Sequence, residues 1–122
     1  MSKTVLVVDD SSTFRQVVAQ SLKTAGYEVV EGANGKDALE KLNGQKISLI
    51  VSDVNMPIMD GLAFVREVKK LANYKFTPII MLTTESGEAT KTVGKELGVK
   101  AWMVKPFKAD LLLSAASKLI QP

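Results

Sequence analysis

The sequence predicts an α/β fold, a single (βα)5 doubly wound parallel sheet with strands in the order 2-1-3-4-5. Three observations lead there. Short apolar runs alternate five times with stretches of helical periodicity. The first, third and fourth runs are apolar without alternation, as strands covered on both faces are, so they belong at the centre with the second and fifth at the edges. No linker or low-complexity segment interrupts the 122 residues, which are expected to form one domain, residues 1–122.

Thr4 to Val8 is the first strand, ending in Asp9-Asp10. Ser11 or Ser12 can cap the helix that follows. Phe14, Val17, Val18, Ser21, Leu22 and Ala25 share one face of it, and Gly26 suits its end. Tyr27 to Glu31 carries two acids and reads as an edge strand. Asn34-Gly35 marks a turn before a short helix with Ala38, Leu39 and Leu42 inward, stopping near Asn43-Gly44. Leu49-Ile50-Val51 is the third strand. Its loop runs from Val54 to Gly61 and contains Pro57 and the turn pair Asp60-Gly61. Leu62 to Ala72 reads as a helix with Phe64, Val68, Leu71 and Ala72 on one face. Pro78 to Leu82 is the fourth strand, with proline where a strand start tolerates it. Ser86 to Leu97 is a thinly apolar helix (Ala89, Val93, Leu97) interrupted by Gly94, a composition that suits an element able to shift. Ala101 to Val104 is the fifth strand, and Leu111, Leu112, Ala115, Ala116, Leu119 and Ile120 form the stripe of the last helix.

Composition excludes several chemistries. There is no cysteine and no histidine, so thiolate catalysis, Ser-His triads and Cys or His metal ligands are absent. A metal held by this chain is held by oxygen, which favours a hard cation such as Mg²⁺. The net charge of +3 is spread over several helices rather than concentrated in a stripe, so nucleic acid is not an expected partner. No apolar run is long enough to span a membrane, and a cytoplasmic location is expected.

The chemistry gathers at the carboxyl edge of the sheet. Asp9 and Asp10 follow the first strand, Asp53 the third, Thr83 the fourth and Lys105 the fifth. Taken singly, each suits a strand cap, a solvated turn or a surface lysine. Together they complement one another. Crowded acids require compensation, which Mg²⁺ and Lys105 supply, and Thr83 adds a hydroxyl. That is the equipment of phosphoryl transfer, in which positioning and charge neutralisation dominate. The nucleophile is then a carboxylate, Asp53, giving an aspartyl phosphate. A small Asp-nucleophile phosphatase like the haloacid dehalogenases is an alternative, but its Asp-x-Asp motif is Asp9-Asp10 here and no cap domain is present. A flavodoxin-like cofactor binder would need a phosphate loop, yet residues 9–13 lack glycine.

The segments Val7-Val8-Asp9-Asp10-Ser11, Val51-Ser52-Asp53-Val54-Asn55-Met56-Pro57-Ile58-Met59-Asp60-Gly61, Met81-Leu82-Thr83-Thr84-Glu85 and Val104-Lys105-Pro106-Phe107 resemble, in order and spacing, the receiver domain of two-component response regulators. The resemblance covers the chain and points to the stand-alone CheY-like chemotaxis type. It implies a flavodoxin-like fold and a phosphoryl group accepted on Asp53 from a histidine kinase, of CheA type. It further implies Mg²⁺ held by Asp10, Asp53 and the Asn55 backbone carbonyl, with Asp9 acting through metal-bound water. Lys105 and Thr83 would contact the phosphoryl group, and a cis Lys105–Pro106 peptide would aim the lysine inward. Asn55 and Glu85 would tune self-dephosphorylation. The aromatic switch position is Trp102, which can also be read as an ordinary edge-strand ring packed on the fourth or fifth helix. The responding surface would be the face of the fourth helix, fifth strand and fifth helix. Ser86-Gly87-Glu88 replaces the lysines common in regulators of the flagellar switch, so the target is that switch, another protein, or none if the chain is a phosphate sink.

Overall fold

The computed structural model describes residues 3–83 and 88–120. Five strands alternate with five helices: β1 (Thr4–Val8), α1 (Ser12–Thr24), β2 (Glu28–Gly32), α2 (Gly35–Leu42), β3 (Leu49–Ser52), α3 (Gly61–Lys69), β4 (Ile79–Thr83), α4 (Glu88–Glu96), β5 (Ala101–Val104) and α5 (Ala109–Leu119). The sheet runs β2-β1-β3-β4-β5, with every neighbouring pair parallel. The order and the choice of edges match those expected from the apolar runs.

Strand residues alternate between two cores. Leu6, Val8, Ile50, Ile79 and Met81 meet Ala38, Leu42, Phe64, Val65 and Val68 from α2 and α3. Val5, Val7, Leu49, Val51, Ile80 and Leu82 meet Val18, Leu22, Leu112 and Ala116 from α1 and α5. The central strands are therefore apolar on both faces along their middle, because each face has its own helical layer. Burial of a large aliphatic side chain contributes about 1.5–3 kcal/mol, so these two cores carry the fold.

The starts of α1, α2 and α3 are capped by side chains. Ser11 accepts from the Phe14 amide at 3.2 Å, Asn34 from Asp37 at 2.9 Å and Asp60 from Ala63 at 2.8 Å. Asn34-Gly35 is thus a helix start rather than a free-standing turn. α1 ends at Gly26, whose φ of +100° is where glycine is favoured.

Several expectations of inward-facing residues need correction, among them Val17, which is exposed on α1 because Val18 and Leu22 take the inward positions. α3 ends at Lys69, so Leu71 and Ala72 are exposed rather than inward. Tyr74 takes the inward place instead, its hydroxyl shared between the carbonyls of Leu42 (2.5 Å) and Gln45 (2.6 Å). Those carbonyls lie at and beyond the end of α2, where helical partners run out. Leu111 is also exposed, because Leu112 and Ala116 already fill the space under α5.

Candidate functional site at the carboxyl edge of the sheet

Strand register assembles the site. Val8 pairs with Ser52, so the next residues, Asp9 and Asp53, leave adjacent strands at the same level. The Asp53 amide donates to the Val8 carbonyl at 2.9 Å, and the Asp9 amide to the Gly32 carbonyl at 3.1 Å. On the other side Thr83 pairs with Val104, and the Lys105 amide donates to the Thr83 carbonyl at 2.8 Å. Both carboxylates and the lysine are set by the last rungs of the sheet, a rigid origin for a binding site.

The side chains converge. The Lys105 ammonium donates to Asp9 Oδ2 at 2.8 Å and to Asp53 Oδ2 at 3.1 Å. Asp9 Oδ1 accepts from the Ser11 amide at 2.9 Å, and Asp53 Oδ1 from the Val54 amide at 2.7 Å. Asp9 and Asp53 are buried while Asp10 is exposed, and the three carboxylates bring oxygens within 4.8 Å of one another. Thr83 is buried at the end of β4. Lys105–Pro106 is cis, as the resemblance implied.

Burial, and then the charge of Asp9, push the Asp53 carboxyl above its ordinary value, although Lys105 and the Val54 amide pull the other way. For Lys105, burial acts downward, but the hydrogen bond and charge of Asp9, and then those of Asp53, carry it above its usual range. The two directions agree. One ammonium serves two carboxylates, so it is held charged while Asp53 stays under-compensated.

This donor set suits a hard divalent cation. It consists of oxygen atoms alone, and three carboxylates face one ammonium, leaving negative charge in excess. Asn55 is exposed two residues beyond Asp53. Glu85, and with it Gly87 of the expected movable segment, lies outside the described residues.

The β3–α3 loop fixes Asp53 from behind. Ser52 Oγ donates to the Asp53 carbonyl at 2.8 Å, and the Gly61 amide to the Val54 carbonyl at 2.7 Å. A Cβ at Gly61 would lie 2.1 Å from the Asp53 carbonyl oxygen, so only glycine permits this approach.

Trp102 is half-buried and packs on α4. A Cβ at Gly94 would stand 2.5 Å from its Cζ3, so the glycine is a seat for the indole. The indole N–H is buried without a hydrogen-bond partner among the described residues. Beside it, Lys91, Lys95 and Lys100 line a groove with Val99 and Ala101.

Two contributors were not assigned a site role from sequence. Arg15 donates from Nε to Glu31 Oε1 at 2.9 Å and from Nη1 to the Asp9 carbonyl at 2.7 Å. Phe14 lies with its ring centroid 4.1 Å from the Lys105 ammonium. The only sequence signal for either was proximity to Asp9-Asp10, and the helical stripe had already accounted for Phe14 as core.

The response regulator receiver domain family matches residues 5–117. Chemotaxis protein CheY1 of Helicobacter pylori is 42% identical over 110 residues, covering 88% of this chain and 89% of that protein. The sensor histidine kinase CheAY of the same organism is 36% identical over 119 residues, 96% of this chain and 15% of that protein. Among solved structures, chemotaxis protein CheY4 of Vibrio cholerae superposes with a TM-score of 0.93 at 45% identity, over 98% of this chain and 100% of that one. With five parallel strands in the order 2-1-3-4-5 and an acidic edge facing a lysine, the chain belongs to the response regulator receiver domain family, as a CheY-like response regulator of two-component signalling.

Proposed function

We propose that residues 1–122 act as one cytoplasmic receiver unit in chemotaxis signalling, with Asp53 as phosphoacceptor for a CheA-type histidine kinase. The observation that carries this reading is the Lys105 ammonium bonded to both Asp9 and Asp53 beside Asp10. An Asp53 carboxylate oxygen attacks phosphorus, the phosphorus–nitrogen bond of the donor phosphohistidine breaks, and the departing imidazole takes up a proton. An acyl phosphate remains on Asp53. Lys105 exchanges its bond to Asp53 for one to a phosphoryl oxygen while keeping Asp9, and the Thr83 hydroxyl donates to another oxygen. Asp10, Asp53 and the Asn55 carbonyl would hold Mg²⁺, with Asp9 reaching it through water. When bound, the cation supplies charge neutralisation for the phosphoryl oxygens. In the reverse direction water attacks phosphorus, the phosphorus–oxygen bond to Asp53 breaks, and inorganic phosphate leaves. Asn55, with Glu85 by the family resemblance, would tune this step.

Trp102 reads the change out. Its indole N–H lacks a partner among the described residues, a cost that another rotamer can relieve. The three lysines around the neighbouring groove favour an acidic segment of a partner protein, the flagellar switch or another target, over a phosphate sink.

Incubation with acetyl phosphate and Mg²⁺ tests the reading. The wild type should form an acid-stable, base-labile acyl phosphate and the Asp53→Asn variant should not, and Trp102 emission should change only in the former. Equal labelling of the two proteins would refute the assignment.

A further inference from the structure

We infer that Phe14 is a positioning residue for Lys105, holding its ammonium in the crevice through the face of the ring. The inference rests on the role proposed above for Lys105. An ammonium has three N–H donors. Two serve Asp9 Oδ2 and Asp53 Oδ2, at 2.8 and 3.1 Å. The third partner is the Phe14 ring, with its centroid 4.1 Å from Nζ, well inside the range of a cation–π contact. The surroundings raise its value, because the Lys105 side chain is only 14% exposed and water competes little.

The ring is itself held. Phe107, two residues beyond Lys105, meets Phe14 edge-on, with centroids 5.5 Å apart and planes at 77°. The Phe14 amide is bonded to the Ser11 cap, and the Ser11 amide is bonded to Asp9 Oδ1. The start of α1 therefore carries the aromatic partner of the lysine and, through the Ser11 amide, holds its carboxylate partner Asp9. Sequence placement agrees, because Phe14 and Phe107 flank the crevice from α1 and from the segment after β5. The consequence is preorganisation. The lysine is confined before a phosphoryl group arrives, so less ordering remains for the transition state.

A graded series of ring-fluorinated phenylalanines at position 14 keeps the shape and drains the negative face of the ring. Unfolding in denaturant, with a chelator present, should show the unfolding equilibrium constant rising by about fivefold across the series in the wild type. The series should be flat when Lys105 is replaced by Met. Equal trends in both backgrounds, or no trend in either, would mean that Phe14 is packing alone and would overturn the inference. Proton NMR of the folded wild type gives a second reading that needs no Lys105 variant. The Lys105 ε-methylene protons should be shifted upfield by the ring current and return toward ordinary positions in Phe14→Leu, and unshifted protons in the wild type overturn the contact. In acetyl phosphate labelling, Phe14→Leu should slow acyl phosphate formation by about fivefold, and an unchanged rate overturns the positioning role. Absence of labelling in the wild type itself would instead refute the phosphoacceptor reading, while the fluorination cycle would still report on Phe14.

Discussion

Replacing Gly94 by alanine should destabilise the protein, although alanine is the better helix former. Gly94 lies within α4, so the backbone accepts alanine. Its new Cβ would stand 2.5 Å from Trp102 Cζ3, whereas carbon atoms rest at about 3.5–4.0 Å. The ring or the helix must retreat by roughly 1 Å. Overpacking of this kind costs about 1–3 kcal/mol, and removing an interior helix glycine returns about 1 kcal/mol. The balance is a loss of about 1 kcal/mol, or about 3–6 °C in Tm for a domain of this size. In a Trp102→Leu background the clash is gone and only the helix term remains, so the same alanine should add about 1 kcal/mol. Urea denaturation followed by far-ultraviolet circular dichroism measures all four proteins of the cycle, since it does not depend on the single tryptophan. A reversal of sign between the two backgrounds is the expected result. Stabilisation of similar size in both would refute the seat-and-ring account of Gly94 and Trp102.

Asp53→Asn should stabilise the metal-free protein near neutral pH, because burial and the neighbouring Asp9 charge hold the Asp53 carboxyl above its ordinary value. A raised folded-state value means that the native state binds the proton more tightly, so this group's contribution to stability falls as pH rises through that value. The advantage of the asparagine variant should shrink as pH falls toward about 4, as read from urea midpoints in the presence of a chelator; a constant or widening gap would contradict it. Tyr74→Phe should cost about 1–2 kcal/mol, because the Leu42 and Gln45 carbonyls lose their shared donor. Acyl phosphate formation should be unchanged in that variant, since Tyr74 lies against the end of α2, away from the carboxyl edge of the sheet.

Strand order and the converging edge residues were legible because both follow from local signals. Continuous apolar runs identify the central strands, and a polar residue after each run marks the edge where ligands bind. The bounds of β1 and β5 were readable to the residue for the same reason. What escaped was tertiary in origin. Leu71 and Ala72 continue the α3 stripe in sequence, but the chain leaves the helix at Lys70 and buries Tyr74 instead. Arg15 and Glu31 are sixteen positions apart on different elements, so no periodicity joins them. Gly94 and Trp102 were each conspicuous, yet their contact exists only once α4 lies on β5. Phe14 fitted a helical stripe so well that its second role, over Lys105, left no mark in the pattern.

The closeness of Gly61 to the Asp53 carbonyl has a mechanical consequence. On that side the crevice is anchored by a backbone contact that tolerates no side chain, by the Ser52 and Val54 hydrogen bonds, and by the fully buried Phe64, Val65 and Val68 of α3. On the other side an indole leans on a glycine, and the described apolar residues of α4, Val93 and the adjoining Leu97, are only half-buried. The crevice is a vice with one fixed jaw and one yielding jaw. Under the role proposed for Asp53, force generated there would be delivered toward α4 and β5, the direction of the signal being set by where the fold is stiff.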